Sequence, residues 1–226
     1  MTLNDLPEIQ IIRNARSRRL RLRVEHQQIK MTVPVSCSKQ QIQNFLQQAE
    51  PWLLKTWKIQ QEQVQSIDQT LPAQLQLFNQ AQALQVCYQS QKNNFVFDSE
   101  KLQLSISDRN PEAYLKAFVI AYAKEQLPGY LVQIAQETGL SFNVCHIRQP
   151  KTRWGSCSAK HDIMLNSALV LFPQEIVRYV SVHELAHTHH FDHSSRFWQL
   201  VAQHDANFQQ HRQYLKDTFL PYWWNC

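Results

Sequence analysis

Residues 176–187 read IVRYVSVHELAH, a stretch with a helical pattern in the C-terminal part of the chain. Its apolar residues recur at helical spacing. Pro173 and Glu175 stand just before it, as expected at a helix start, because proline fits the first helical turn and an acidic side chain favours the positive end of the helix dipole. We therefore predict a helix that begins near Pro173.

Two histidines and a glutamate on this helix form a metal-binding pattern. An α-helix turns about 100° per residue, so His183 and His187 lie about 40° apart on one face and one turn apart along the axis. Both imidazoles can then reach one cation. Glu184 flanks that cation, which is where the general base of a zinc hydrolase stands. The H-E-x-x-H spacing thus predicts zinc at His183 and His187, with Glu184 as the base.

A catalytic zinc also needs a third protein ligand and an open position. No glutamate follows Glu184, which excludes the class that takes its third ligand from a downstream glutamate. We predict His193 as the third ligand. On a straight helix it would lie ~15 Å from His183 along the axis, so the chain must leave the helix and fold back. The alternatives are His189, His190, His204 and Asp205.

The composition is that of a soluble protein. The chain has 226 residues, 43% of them hydrophobic, and a mean hydropathy of -0.45. Its longest apolar run, residues 168–172, is far shorter than the ~20 residues of a membrane span. Residues 1–10 lack the apolar segment of a secretory signal, so we expect a cytoplasmic protein. Five scattered cysteines without a C-x-x-C pair are typical of reduced thiols.

Positive charge is concentrated near the N-terminus. Residues 1–50 hold eight Lys/Arg against four Asp/Glu, so +4 of the chain's net +5 lies there. The stretch RLRLRV at 19–24 alternates with period two, which places Arg19, Arg21 and Arg23 on one face of a strand. We interpret this face as solvated. A surface for nucleic acid or another acidic partner is the alternative, with weaker support.

The remaining elements indicate an α+β protein. We predict strands at 19–24, 29–35, 84–88, 95–97 and 102–106, then strand, turn and strand across 142–170. Ser38 is expected to cap a helix, Pro51 to open another, and Pro128 to kink or split a long helix that runs from Pro111 to Gly139. We therefore expect a small strand-rich region, 1–110, followed by a mainly helical, zincin-like catalytic region, 111–226, that carries the H-E-x-x-H helix.

Three further residues are candidates for substrate contact or for the walls of the cleft. Arg153 has the chemistry to polarise a carbonyl or bind a carboxylate, with a structural ion pair as the alternative. Trp154 is expected to frame the cleft, as is Trp198. Asn166 is the third candidate. Cys157, close to these residues, is interpreted as a small buried apolar side chain.

Four stretches occur in order along the second half of the chain: KTRWGSCS at 151–158, IMLN at 163–166, YVSVHELAH at 179–187 and HSSRFW at 193–198. They resemble the YgjP-like family of predicted zinc metallopeptidases, which is related to the SprT-like proteases. IRNARSRR at 12–19 and VP at 33–34 are similar to the N-terminal strands of that family. The resemblance implies one zinc on His183, His187 and His193, with Glu184 catalytic.

The expected activity is zinc-dependent hydrolysis of peptide bonds, in which Glu184 takes a proton from a zinc-activated water. The expected partner is a peptide or protein substrate, and no membrane is involved. A non-catalytic zinc-binding or nucleic-acid-binding module on the same scaffold is the alternative. The two hypotheses differ in whether Glu184 matters when the metal is bound.

Overall fold

The structure, a computed structural model, describes residues 6–25, 28–66 and 70–224. It is of mixed α+β class and divides into two compact units, 1–68 and 69–226. This division comes earlier in the chain than the predicted region boundary at 110 and 111, because the strands between 74 and 107 share a core with the second unit. No helix in the described part of the chain is long and apolar enough to cross a membrane.

The first unit is a three-stranded sheet with one helix. Its elements are β1 (Ile9–Arg13), β2 (Arg21–Glu25), β3 (Gln28–Val33) and α1 (Lys39–Ser66). The strand order is β1-β3-β2, with β2 antiparallel and β1 parallel to β3. The strands predicted at 19–24 and 29–35 are therefore present as a neighbouring pair. Residues 26 and 27, between them, lie outside the described residues.

Alternation along β2 separates charged from apolar side chains as predicted. Arg21 and Arg23 are exposed, whereas Val24 is buried against Leu53 and Trp57 of α1. Arg19 precedes the strand. One face of this strand thus belongs to the core of the first unit and the other carries the arginines.

Helix α1 begins with a reciprocal cap. The Ser38 hydroxyl accepts from the Gln41 backbone N–H at 3.2 Å, and the Gln41 side chain accepts from the Ser38 N–H at 2.9 Å. The prediction that Pro51 opens a second helix is wrong, since α1 continues through it. Burial of Leu53 and Trp57 just beyond the proline favours one continuous helix over the break that proline alone would cause.

The second unit begins with a four-stranded sheet and a long helix. The elements are β4 (Gln74–Leu75), β5 (Leu84–Gln89), β6 (Phe95–Asp98), β7 (Gln103–Ser107) and α2 (Pro111–Thr138), and the strand order is β4-β5-β7-β6. Helix α2 is not split at Pro128, because Leu127 and Leu131 on either side are fully buried in the core. Gly139 ends it in the left-handed conformation at φ 71°, as predicted.

A second three-stranded sheet and three helices complete this unit. They are β8 (Cys145–Arg148), β9 (Gly155–Cys157), β10 (Ile163–Asn166), α3 (Gln174–Ala186), α4 (Ser195–His204) and α5 (Phe208–Asp217), with a 3-10 turn at Ser167–Leu171. The strand order is β8-β10-β9. Helix α3 contacts β9, α4 and α5. It therefore lies at the centre of the elements that form the candidate site.

Candidate metal centre and active site

The histidines of the H-E-x-x-H sequence occupy the end of α3. His183 and Glu184 lie in its last turn, and His187 caps it. The chain then turns back, and α4 starts at Ser195. This return brings the Nε2 atom of His193 to 3.2 Å from the Nε2 atom of His183. The predicted fold-back of the chain after the helix is observed.

The three imidazoles are arranged so that they could hold one metal ion. One ligand nitrogen from each of His183, His187 and His193 lies within 4.8 Å of the others. Tetrahedral zinc with Zn–N bonds of ~2.0–2.1 Å requires ligand nitrogens about 3.3 Å apart, close to the 3.2 Å between His183 and His193. The Nδ1 of His187 donates to the His190 carbonyl at 2.9 Å, which leaves its Nε2 lone pair for a metal.

The protonation states of His183 and His187 also suit a metal. Burial, followed by the charges of His187, His193 and Arg212, lowers the pKa of His183 to about 3. Burial likewise lowers the pKa of His187. Neutral imidazole is the form that coordinates a cation.

The alternative third ligands His189, His190, His204 and Asp205 are not grouped with His183 and His187. The backbone carbonyl of His190 accepts from the ring of His187, and the backbone carbonyl of His204 accepts from Arg178 at 3.2 Å. Asp205 accepts from the ring of His211 at 2.8 Å. Within the described ranges, the set of His183, His187 and His193 is the one group of three or more His, Cys, Asp or Glu side chains arranged to hold a metal.

Phe197 is the common neighbour of the three imidazoles. Its fully buried ring lies 4.9 Å from His183, 4.4 Å from His187 and 4.9 Å from His193, centroid to centroid. His193 also stacks on Trp198 at 5.6 Å. Sequence reasoning did not find this role of Phe197. Its position four residues after His193 was the available signal, but the contacts with α3 are not local.

His183 is oriented by packing. Its Nδ1 atom is buried and has no hydrogen-bond partner among the described residues. Aromatic rings surround it instead, with centroid distances of 4.9 Å to Phe197, 5.7 Å to Trp198 and 5.9 Å to Tyr179. Metal-binding histidines usually donate this second N–H to a hydrogen bond. Here the aromatic cage sets the direction of the ring.

Glu184 is buried beneath strand β9, with 5% of its surface exposed. A methyl group added at Gly155 would lie only 2.5 Å from Glu184 Oε1. The absence of a side chain at Gly155 therefore lets the β9 backbone pass directly over the carboxylate. Burial raises the pKa of Glu184 to about 8, and the nearby charge of Arg153 acts in the opposite direction.

Arg153 and Trp154, two of the three candidates for substrate contact or for the cleft wall, lie beside His183 and Glu184. Both line a cavity of about 280 Å³ that also contacts His183 and Glu184. Arg153 is exposed, and Trp154 is half-buried with its ring edge-on to Phe172 at 4.8 Å. The residues before β9 thus form one wall of the cavity beside the histidines.

Asn166 is placed differently from the other two candidates. It is buried on β10, and its side-chain amide donates to the carbonyls of Pro150 and Arg153, both at 3.0 Å. Its carbonyl oxygen accepts from the Ala168 N–H at 3.0 Å. The structure therefore places Asn166 behind the loop that carries Arg153, where it holds that loop.

Cys157 is half-buried near Glu184. Burial, and after it the charges of Glu184 and Asp162, raise the pKa of its thiol to about 11. The side chain is therefore a neutral thiol, in agreement with its interpretation as a small apolar residue. Cys37, Cys87, Cys145 and Cys157 are free thiols, and Cys226 lies outside the described residues.

Comparison with known proteins identifies the family. Residues 18–218 match the model of the YgjP-like metallopeptidase domain. The chain belongs to the YgjP-like family. A search of curated proteins found no match.

Solved structures similar to this YgjP-like chain include two metallopeptidase zymogens. Jannalysin from Methanocaldococcus jannaschii is 16% identical, and abylysin from Pyrococcus abyssi is 26% identical. Each match has a TM-score of 0.36 and covers 40% of this chain and 94% of the other.

The close approach at Gly155 predicts that Gly155→Ala destabilises this YgjP-like protein. The added methyl group must displace Glu184 or the β9 backbone, so we expect a loss of about 1–3 kcal/mol in the free energy of unfolding. Gly129→Ala is the matched control, because no atom lies within 4 Å of the added methyl group there. In the helix interior that change should stabilise by about 0.5–1 kcal/mol. Equal effects of the two variants in urea denaturation would contradict the close approach.

The raised pKa of Glu184 predicts a pH-dependent stability of the metal-free protein. Burial raises this pKa from 4.5 to about 8, so the folded state keeps a proton that the unfolded state releases. The resulting stabilisation is present below pH 4.5 and is lost as pH rises from 4.5 to about 8. Across this window, wild type should lose stability relative to Glu184→Gln, whose side chain does not titrate.

Chemical denaturation at pH 5 and pH 8, with chelator present, measures this difference. These two values span roughly the pH range over which Glu184 loses its proton in the unfolded but not in the folded protein. Glu125→Gln, at an exposed position on α2, is the matched control. A stability difference between wild type and Glu184→Gln that is independent of pH would show that the carboxylate is not buried as described.

Proposed function

We propose that this chain is a zinc-dependent peptidase in which His183, His187 and His193 bind the metal and Glu184 is the general base. The observation that carries the proposal is the group of three imidazoles within 4.8 Å of one another, next to a buried glutamate. Membership of a metallopeptidase family supports peptide hydrolysis as the reaction.

The donor set supports zinc in a catalytic role. Zinc is one of the metals that imidazole ligands suit. Three protein ligands with one open position are typical of catalytic zinc sites. His193 is exposed while His183 and His187 are partly buried, so the open side of the site faces solvent. Bound zinc would supply Lewis-acid activation of a water molecule and of the substrate carbonyl.

The surroundings of Glu184 support its proposed role as the group that moves the proton. Its carboxylate follows His183 directly on α3 and lines the same cavity. A raised pKa makes the carboxylate a stronger base, and a pKa near the working pH is the best compromise for general acid–base catalysis. Arg153 favours the ionised form that must accept the proton. Glu184 then holds that proton for transfer to the departing amine.

We predict one zinc per chain and a large loss of zinc affinity in His193→Ala. Removing a neighbour of the ligands typically costs ~10 to 100-fold in affinity, so removing a ligand should cost more than about 100-fold. His204→Ala is the matched control, since His204 lies at the far end of α4. Competition titration with a zinc chelator measures both affinities. Unchanged affinity in His193→Ala would remove it from the ligand set.

We predict that Glu184→Gln retains zinc but loses hydrolysis. Glutamine has nearly the shape of glutamate but its amide cannot accept the proton, and general-base catalysis contributes ~10² to 10⁴-fold in rate. A diverse peptide library read by mass spectrometry supplies a substrate, and elemental analysis checks the metal. A variant that cleaves at the wild-type rate with zinc fully bound would contradict the mechanism, whereas a scaffold protein would show no cleavage in either form.

A further inference from the structure

Besides the metal ligands, the clearest unexplained feature is the charge of the cavity next to them. We propose that this cavity binds a carboxylate of the peptide substrate beside the bond to be cut, supplied by an acidic side chain or by the C-terminus. The inference rests on the proposed peptidase function and names its substrate class. It is carried by three basic side chains, Arg153, Arg212 and Lys216, which line a cavity of about 280 Å³ with His183 and Glu184.

The basic side chains of the cavity are not neutralised by the protein itself. Glu184 is the one acidic residue among those that line it, and it is buried. In the part of the chain that the structure describes, no carboxylate forms an ion pair with Arg153, Arg212 or Lys216. The carboxylate of Asp205 is hydrogen-bonded to the ring of His211, and the carboxylate of Asp217 accepts a hydrogen bond from the amide of Gln213. The three cations remain available for a ligand.

The cations that line the cavity come from two separate elements. Arg212 and Lys216 are four residues apart on α5 and therefore project from one face of that helix. Arg153 lies in the loop before β9, where the Asn166 amide donates to its carbonyl at 3.0 Å. A carboxylate in the cavity would have basic partners from both elements, and guanidinium groups bind carboxylates with two parallel hydrogen bonds.

Arg212 is held in place beside the metal ligands. Its guanidinium lies over the ring of Trp198 at 4.9 Å, and Trp198 stacks on His193. This stacking limits the freedom of a side chain that would otherwise be mobile on an exposed helix face. The basic wall and the candidate metal site thus share one aromatic support.

The walls of the cavity suit a side chain with an apolar stem. Trp154, Val180 and Leu215 line it together with the cations. Its volume lies just below the roughly 300–1,000 Å³ of pockets for small molecules, which is suitable for one or two side chains. Glutamate combines an apolar stem with an anionic end, whereas lysine in the same place would be repelled by three positive charges.

The test uses peptides that differ only in charge beside one chosen bond, which is the cleavage site found with the library or, if no peptide is cleaved, the central bond of a library peptide. In the first pair, the residues on either side of this bond are Glu in one peptide and Gln in the other, and both peptides have an amidated C-terminus. In the second pair, these residues are Gln in both peptides, and the C-terminus is free in one and amidated in the other. We expect kcat/KM to be about tenfold higher for the carboxylate member of at least one pair, as for a charged hydrogen bond at a partly exposed site. The pair that shows the preference identifies the source of the carboxylate.

Lys216→Glu should reduce this preference about tenfold or reverse it, because it places an anion in the cavity wall. Lys124→Glu is the matched control: it makes the same change of charge at an exposed position on α2 and should leave the preference as in wild type. An equal effect of the two variants would mean that only the net charge of the protein matters, and would overturn the proposal.

Binding of the same peptides, fluorescently labelled, to the zinc-loaded Glu184→Gln protein gives a readout that does not need turnover. Cleavage and binding that both ignore the carboxylate would overturn the proposal and leave the peptidase function intact. Binding that requires the carboxylate and is lost in Lys216→Glu, without cleavage by wild type, would support the cavity assignment and contradict the peptidase function. No binding and no cleavage would contradict both.

Discussion

Contact of three imidazoles with one buried phenylalanine ring is the interaction on which the candidate site depends. Phe197 lies within 4.9 Å of the rings of His183, His187 and His193, although these histidines come from the end of α3 and from the segment before α4. Packing of α4 on α3 therefore does two things at once. It completes the hydrophobic core of the second unit, and it brings His193 to the other two histidines.

The low polarity of this packing also sets the chemistry. Burial makes the charged form of an imidazole unfavourable and the neutral form of a carboxylic acid favourable, so the pKa of His183 falls while the pKa of Glu184 rises. Two adjacent residues in the sequence are thus shifted in opposite directions by one environment. The neutral form of an imidazole is the one that binds a metal, and a raised pKa makes the ionised form of a carboxylate a stronger base.

Support for the base and for the cavity comes from the same short stretch. Gly155 lets the β9 backbone cover Glu184, and the preceding residues, Arg153 and Trp154, line the cavity. Asn166 on β10 holds this loop through the carbonyl of Arg153. The stretch KTRWGSCS thus covers Glu184 of the H-E-x-x-H helix at Gly155 and contributes Arg153 to the wall of the cavity.

Local patterns were sufficient for the parts of the site that depend on local geometry. The spacing of His183 and His187 predicted their common face, and the distance to His193 required the chain to turn back. Pro51 was misjudged because burial of neighbouring side chains outweighs the helix-breaking tendency of proline, and α2 likewise continues without a split through Pro128.

The features that escaped sequence reasoning are contacts between distant elements. Phe197 meets α3 only through packing of α4, and the basic wall of the cavity forms only when α5 lies beside α3. Gly155 was part of a recognised stretch, but its function depends on the carboxylate that lies under it. No spacing rule within one element could have indicated these contacts.

X-ray absorption at the zinc edge of the reloaded protein measures directly which atoms bind the metal. We expect three imidazole nitrogens at ~2.0–2.1 Å and at least one further light ligand at a similar distance, without sulfur. A sulfur scatterer at ~2.3 Å, or a first shell with fewer than three imidazoles, would contradict a site formed by His183, His187 and His193.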